Sequence, residues 1–367
     1  MRRFGPRRTG VQPWRLRPVL APLLLVVALV LAACDVSSIE PPPLPWESGQ
    51  ARQQQPGWIG ANLGAPSRYL QERYAMPEQP GAAVLYVVPK SPAARAKLQA
   101  GDLVTKINDI EISSPNDLVA VVLRAQGVRL RLTVLRPDPK APASQPVEKT
   151  LTVAVGKRPQ KLEEQLVESF DKELRSQPDD AVLYYLRANM MEALGRDDAA
   201  AEDYGKAIER APRFGLAYSG RARLRLQSLM QTAGLPVLRP RQPAAPRTVT
   251  PGDLEAIFSD AERAVSLDPD ASWGYSVRAE AHLRQAHERA NAGLISSDLE
   301  RAILDASNAL AAEPNLGRAR LVRAMAYYAV GHLPEAQADL ALVLRSSADE
   351  ATRDLALEFL RQVFSGS

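Results

Sequence analysis

The sequence predicts a multidomain α+β protein, in which a small β-sandwich or barrel domain precedes an all-α solenoid of helical repeats. Three observations support this fold class. Residues 57–157 contain short apolar stretches of strand-forming residues, separated by turn signals. Residues 160–367 lack such stretches and are dominated by Ala, Leu, Arg and Glu. Within them, a Tyr followed by Arg-Ala recurs after 34 residues, at Tyr184 and Tyr218.

Residues 1–33 carry the three parts of an export signal. An Arg-rich start reaches Arg17, an apolar run extends from about Val19 to Ala33, and small residues end it. The segment holds six Arg and no acidic residue, so its removal changes the formal net charge from +4 to −2. A nearly neutral mature chain argues against a nucleic-acid partner.

The export signal ends in Leu31-Ala32-Ala33-Cys34, which resembles the lipobox of bacterial lipoproteins. The resemblance implies cleavage before Cys34, acylation of its thiol, and a lipid anchor in a cell membrane on the extracytoplasmic side. The alternative is an uncleaved membrane helix with an incidental Cys, but the apolar run is short and contains Pro22. Cys34 is the only Cys in the chain, which excludes a disulfide within it.

Residues 34–56 are rich in Pro, Gln and Ser and include Pro41-Pro42-Pro43. They show no apolar periodicity, so no packed element is predicted. We expect this segment to be a stalk that holds the first folded domain away from the membrane.

Five strands and two short helices are predicted within residues 57–157. The candidate strands are Trp58–Leu63, Ala83–Val88, Leu103–Asn108, Val128–Leu135 and Thr150–Val155. One helix is expected between Ser91-Pro92 and Gly101, and the other between Ser114-Pro115 and Gly127. Ser caps a helix start, Pro fits the first helical turn, and Gly ends a helix.

Two stretches of this region carry a family resemblance. They are Val87-Val88-Pro89-Lys90-Ser91-Pro92-Ala93-Ala94 and Leu98-Gln99-Ala100-Gly101-Asp102-Leu103-Val104, followed by Ile107-Asn108 and the strand that begins at Val128. The region resembles the PDZ domain in the form found in HtrA-type proteases and other bacterial envelope proteins. Lys97 departs from the family pattern, which usually has Gly before the Leu. We expect this difference to affect how the helix ends.

The PDZ resemblance implies a peptide-binding site. In the family, a loop of backbone N–H groups receives a C-terminal carboxylate and the peptide adds as a strand beside it. The matching positions are Trp58, Ile59, Gly60 and Ala61, and Gly60 permits close approach of the backbone. Leu118 and Val122, one helical turn apart, are candidates for the pocket of the last peptide side chain. The alternative for both residues is packing within the core.

The helical region resembles the tetratricopeptide repeat (TPR), a pair of antiparallel helices. Segment 181–214 carries the set of family landmarks, which are Tyr184, Ala188, Gly195, Ala200, Tyr204, Ala207 and Pro212. The same landmarks place further repeats at 215–271, 272–316 and 317–350, followed by a capping helix at 351–364. The resemblance implies a solenoid that binds proteins.

The middle repeats are longer than 34 residues. Tyr218 and Tyr275 are 57 residues apart, and the excess contains five Pro, so we expect an exposed loop that carries Arg239, Arg241 and Arg247. Repeat three has 11 extra residues, which is almost a whole number of helical turns. Its helices are therefore predicted to lengthen through His282 to Ala292 without rotation of their apolar faces.

Each repeat also pairs an Arg with an Asp of its second helix. The pairs are Arg187 with Asp203, Arg221 with Asp260, Arg278 with Asp305, and Arg323 with Asp339. A row of such pairs could clamp a ligand, but the interpretation that we favour is a bridge between the two helices of each repeat.

The first helices of TPR pairs line the concave face of the solenoid. In the family's frame, the groove positions are Tyr185, Asn189, Arg223, Trp273, Glu280 and Tyr328. They mix aromatic, polar and charged groups, as peptide grooves do. The alternative for each is packing between repeats.

Catalysis is not predicted. The three His residues, His282, His287 and His332, form no metal-ligand pattern, and no nucleophile elbow, phosphate-binding glycine loop or dinucleotide motif is present. We therefore expect no metal and no cofactor. The sequence predicts a lipid-anchored scaffold whose PDZ-like domain binds C-terminal or extended peptides and whose TPR array binds a second protein. An alternative is a non-catalytic adaptor or regulator of a separate envelope protease, with that protease or its substrates as partners.

Overall fold

The computed structural model describes residues 56–138, 146–233, 251–289, 295–346 and 350–364, all of which lie in one compact unit. A β-rich PDZ-like region is followed by a helical solenoid, as predicted. The strands are β1 Gly57–Trp58, β2 Ala61–Gly64, β3 Ala82–Val87, β4 Leu103–Ile107, β5 Ile110–Glu111, β6 Arg129–Arg136, β7 Val147–Ala154 and β8 Gly156–Lys157. Three helices lie between them, α1 Arg68–Tyr74, α2 Pro92–Arg95 and α3 Pro115–Arg124.

All strand pairs are antiparallel. The main sheet has the order β2-β3-β4-β6-β7 with β5 beside β4, and β1 pairs with β8 in a small second sheet. The predicted strand Trp58–Leu63 is interrupted at Ile59 and Gly60, where Gly60 has a positive φ of 80°. The chain turns there from one sheet into the other.

Two helical expectations need correction. Helix α2 ends at Arg95 instead of continuing toward Gly101, because Lys97 has a left-handed φ of 63°. This is the position where the PDZ family usually has Gly, which reaches that conformation without strain. Helix α1 was not predicted, although Ser67 caps it by accepting a hydrogen bond from the Leu70 N–H.

Ten helices follow the strands in the described part of the chain. They are α4 Leu162–Ser176, α5 Ala181–Ala193, α6 Asp197–Arg210, α7 Gly215–Ala233, α8 Pro251–Leu267, α9 Ser272–Arg289, α10 Ile295–Ala312, α11 Gly317–Val330, α12 Leu333–Ser346 and α13 Glu350–Phe364. Helices α5 to α12 pack as four consecutive pairs. Helices α9 and α10 of repeat three have 18 residues each, and the predicted extension of the first helix is seen as far as Arg289, whereas its remainder to Ala292 lies outside the described residues. The predicted loop with Arg239, Arg241 and Arg247 lies outside the described residues.

The Arg–Asp pairs bridge the two helices of each repeat, as favoured from the sequence. In all four, the guanidinium donates two hydrogen bonds to the two oxygens of a buried carboxylate. The distances for Arg187 and Asp203 are both 2.7 Å. Such two-point contacts fix the angle between a pair of helices more firmly than a single bond does.

The β-rich region and the solenoid share a hydrophobic cluster. Ala82 and Val84 of β3 face the core of the β-rich region, whereas Leu85 packs with Phe170 and Phe214 of the helices. The ring of Tyr69 in α1 packs against that of Phe214 at a tilt of 37°, with ring centroids 4.6 Å apart. The two regions are therefore joined by packing, in addition to the peptide chain.

Candidate functional site

The loop between β1 and β2 turns its carbonyl groups into the protein. The Ile59 carbonyl accepts a hydrogen bond from the Ala93 N–H at 2.7 Å, and the Gly60 carbonyl accepts one from the Val88 N–H at 2.9 Å. Among the described residues, no protein acceptor receives the N–H groups of Ile59 and Gly60. These two donors are thus available to an anion.

Position 60 requires Gly for two reasons, its positive φ and the close approach of the loop backbone to Ser91. A Cβ at this position would lie 2.2 Å from the Cβ of Ser91, which caps α2. Real side chains do not approach so closely, so any larger residue must move the loop or the start of α2. The geometry of the two N–H donors consequently depends on Gly60.

Strand β2 forms an edge of the main sheet. One side of it pairs with β3, and within the described residues its other side pairs with no strand. Helix α3 runs beside this edge, and its start is fixed by a capping box between Ser114 and Asp117. An edge strand beside a helix is the arrangement that accepts an added peptide strand.

Leu118 and Val122 of α3 are core residues that also line a cavity. They are 0% and 7% exposed within the core, and they also line a cavity of about 200 Å³ between α3 and the loop 57–63. Val119 and Leu123, which were not predicted as site residues, are 40% and 37% exposed and line the same cavity. Their spacing of four along an amphipathic helix was the available signal.

Leu162 and Leu166 of helix α4 also line the cavity. Arg158 and Glu163 also line it and form an ion pair with each other. Trp58 and Ala61 belong to the same lining. All four predicted loop residues, Trp58, Ile59, Gly60 and Ala61, therefore border one cavity.

A second, larger cleft of about 1000 Å³ lies between the PDZ-like region and the solenoid. The first helices of all four pairs contribute to its walls, together with β2, α3 and α13. Four of the predicted groove residues line it, namely Tyr185, Arg223, Trp273 and Glu280.

Two predicted groove residues lie elsewhere. The Asn189 side-chain oxygen accepts a hydrogen bond from the Tyr204 hydroxyl at 2.6 Å, which holds it between the helices of the first pair. Tyr328 packs edge-on against Phe359 of α13, with ring centroids 5.6 Å apart. Both side chains contribute to packing within the solenoid.

Three of the four charged residues that line the cleft are in ion pairs, and Glu358 has none among the described residues. Arg223 donates to Glu192 at 2.9 Å, and Arg318 donates to Glu280 at 2.9 Å. Burial raises the pKa of the Tyr185 hydroxyl, so it is neutral at physiological pH. The described residues contain no group of three or more His, Cys, Asp or Glu that could hold a metal ion.

Comparison with known families explains the β-rich geometry. Residues 84–136 match the family described as PDZ domain. The chain therefore contains a PDZ domain.

Two curated relatives match part of the chain. A probable periplasmic serine endoprotease DegP-like of Brucella suis biovar 1 is 33% identical over 81 residues, which cover 22% of this chain and 16% of the relative. A probable periplasmic serine protease do/HhoA-like of Haemophilus influenzae is 37% identical over 91 residues, which cover 24% and 19%. The chain thus spans less than a fifth of the length of these relatives.

Among solved structures, a thermophilic TPR protein of Thermus thermophilus is similar to the solenoid. It is 22% identical with a TM-score of 0.40, and the match covers 54% of this chain and 90% of that protein.

Cys34 lies outside the described residues. Among the described helices, none is long and apolar enough to cross a membrane.

Proposed function

We propose that the protein is a membrane-anchored, extracytoplasmic, non-catalytic scaffold whose PDZ domain captures the C-terminal end of a partner polypeptide. The observation that carries this proposal is the pair of unused N–H donors at Ile59 and Gly60 beside an open strand edge. Backbone dipoles that converge in this way hold a carboxylate without a charged side chain. The proposed anchor is a lipid on Cys34, with residues 34–56 as the stalk.

The cavity defines the last side chain of the ligand. Leu118, Val122 and Ile59 supply apolar walls, and its volume of about 200 Å³ suits an aliphatic side chain. The residues before the last one would pair with β2 through backbone hydrogen bonds, which carry little sequence information. The C-terminal residue and the free carboxylate should therefore determine binding.

The test compares a labelled peptide that ends in Val with its C-terminal amide, by fluorescence anisotropy on the full-length protein. We expect the amide to bind at least about tenfold more weakly, because it loses charge-assisted hydrogen bonds of about 1.5–3 kcal/mol. Equal affinity of the two peptides would refute the carboxylate site.

Gly60→Ala provides a variant with a matched control. It should weaken binding of the free acid, since a Cβ collides with Ser91. Gly195 also has a positive φ, of 68°, but a Cβ there would meet nothing within 4 Å. Gly195→Ala carries similar backbone strain in the turn between α5 and α6 and should leave binding unchanged.

A second candidate function is regulation of a separate envelope protease. Both curated relatives are named as probable periplasmic serine proteases. This role predicts that a protease co-purifies with the full-length protein. Loss of that protease from Gly60→Ala preparations would show that the PDZ site holds it.

A further inference from the structure

The small cavity of the PDZ groove opens into the large cleft. Five residues line both spaces, and all belong to the walls of the peptide groove: Ala61, Asn62, Leu63, Val119 and Leu123. A peptide that lies along β2 consequently reaches the first helices of the solenoid. The combined space exceeds the roughly 300–1,000 Å³ of a small-molecule site.

The PDZ domain is held over the cleft by polar contacts at two ends. At the start of α1, the Arg68 N–H donates to Asp268 at 2.8 Å. At the start of α3, Asn116 donates to Glu313 at 2.6 Å. Other contacts between the two regions are Arg73 with Asp180, Arg213 with Glu72, and Tyr86 with Glu173. The groove and the helices therefore keep a fixed relation to each other.

The direction of a bound peptide follows from the loop. A carboxylate held at Ile59 and Gly60 places the last peptide residue beside Ala61. Because the added strand is antiparallel to β2, the peptide residues that precede the last one lie successively closer to Gly64. Strand β2 has four residues, or about 13 Å at 3.3 Å per residue. Residues upstream of the last four leave the sheet edge beside Asn116 and Leu216, where the large cleft begins.

The walls of the cleft determine the chemistry of those upstream residues. Met230, Trp273 and Leu355 are partly exposed and supply apolar surface from α7, α9 and α13, whereas Leu226 and Val277 line the cleft but are buried. The guanidinium groups of the cleft are already neutralised, as in the pair of Arg318 with Glu280. Glu358 is the one charged residue of the lining without an ion pair among the described residues, so such a cleft favours apolar side chains and provides only a weak field for a highly charged segment.

We propose that the PDZ groove and the cleft form one composite site for a single ligand, an extended C-terminal tail of about ten residues with little net charge. Its last four residues bind along β2, and apolar residues of its upstream half bind against α7 and α9. Because the PDZ domain, the first helices and α13 enclose the cleft from several sides, an unfolded segment fits it better than a folded second partner does. This inference rests on the proposed carboxylate site.

The test uses three labelled peptides with a common C-terminal sequence ending in Val, measured by anisotropy on the full-length protein. One has about twelve residues with Leu at three upstream positions, the second has Ser at those positions, and the third is the last five residues alone. We expect the Leu peptide to bind about tenfold or more tightly than the other two, since burial of one Leu contributes about 1.5–3 kcal/mol. Similar affinities for all three would overturn the composite site.

A steric variant locates the effect in the cleft. Gln227 is exposed on α7 and lines the cleft, so Gln227→Trp should remove the advantage of the Leu peptide while leaving the five-residue peptide unaffected. Glu209→Trp is the matched control, because Glu209 is exposed on α6 and lines neither space. An unchanged advantage in Gln227→Trp would contradict the proposal.

The outcomes separate the two proposals. If the short peptide binds as a free acid and the upstream Leu residues add nothing, the carboxylate site stands and the composite site fails. If none of the peptides binds, or if acid and amide bind equally, both fail.

Discussion

Replacement of Arg187 by Met should destabilise the first helix pair strongly. Arg187 donates from Nε and Nη2 to the two oxygens of Asp203, both at 2.7 Å. The side chain of Asp203 is only 4% exposed, and among the described residues no other cation pairs with it. Met retains most of the apolar stem of Arg but leaves a buried carboxylate without a partner.

The expected loss of stability is about 3 kcal/mol. Removal of one partner of a buried ion pair costs about 3–5 kcal/mol, and the lower end applies because the Arg187 side chain is 17% exposed. Arg221→Met is a matched comparison. Its partner Asp260 retains a second cation, since Arg225 donates to it at 2.5 Å. We expect Arg221→Met to cost about half as much or less.

The assay is urea unfolding of the full-length protein, followed by circular dichroism. Hydrogen exchange of α5 and α6 supplies a local readout, because repeat arrays unfold in parts. Exchange in these helices should become faster in Arg187→Met. A loss below about 1 kcal/mol, or equal losses in Arg187→Met and Arg221→Met, would refute the reasoning that the uncompensated carboxylate causes the effect.

Three further predictions concern stability. Burial lowers the pKa of His282 and His287, so the unfolded chain binds more protons below about pH 6.5 and stability should fall as the pH drops. Thermal unfolding at low and neutral pH should show this loss of stability. Replacement of both His282 and His287 by Gln should remove it, whereas replacement of the exposed His332 by Gln should not. Burial raises the pKa of Asp268 above its ordinary value, so ionisation of this group should lower stability as the pH rises past about 4. In urea titrations, Asp268→Asn should reduce the dependence of the free energy of unfolding on pH in this range. Lys97→Gly should raise the free energy of unfolding by up to about 1 kcal/mol, because Lys97 has a left-handed φ; an unchanged or lower midpoint would contradict this.

Local patterns made much of the fold predictable. Ser-Pro pairs marked the starts of α2 and α3, and Gly127 lies just beyond the end of α3, although Gly101 did not mark the end of α2. The Ala spacing of the repeats matched the helix pairs in the structure. The Arg–Asp bridges were predictable because their partners stand at fixed offsets within each repeat. Helix α1 was missed because it has only seven residues, too few to establish a helical period.

The packing of the PDZ domain on the solenoid could not be predicted. Leu85, Phe170 and Phe214 form the shared cluster, yet in the sequence each looks like an ordinary core residue of its own region. Contacts over such separations leave no periodic signal. The stalk and the Cys34 lipid anchor remain predictions, since they precede the described residues.

The candidate site was predictable only where it depends on a local sequence motif. The loop Trp58–Ala61 followed from a compact motif, whereas Val119 and Leu123 matter because of what faces them across the groove. Asn189 and Tyr328 show the limit of the repeat frame. They occupy groove positions in sequence but pack against Tyr204 and Phe359 in the structure.

The most direct test of the composite site is photo-crosslinking of a bound peptide. A free-acid peptide of about twelve residues, with a photoreactive phenylalanine eight residues from its C-terminus, is irradiated on the full-length protein, and the adduct is located by mass spectrometry. We predict attachment to α7 or α9, near Leu226 or Val277, since about four residues span β2. Attachment confined to the PDZ domain, or to the second helices α6 and α8, would contradict a single site that extends from the PDZ loop into the solenoid.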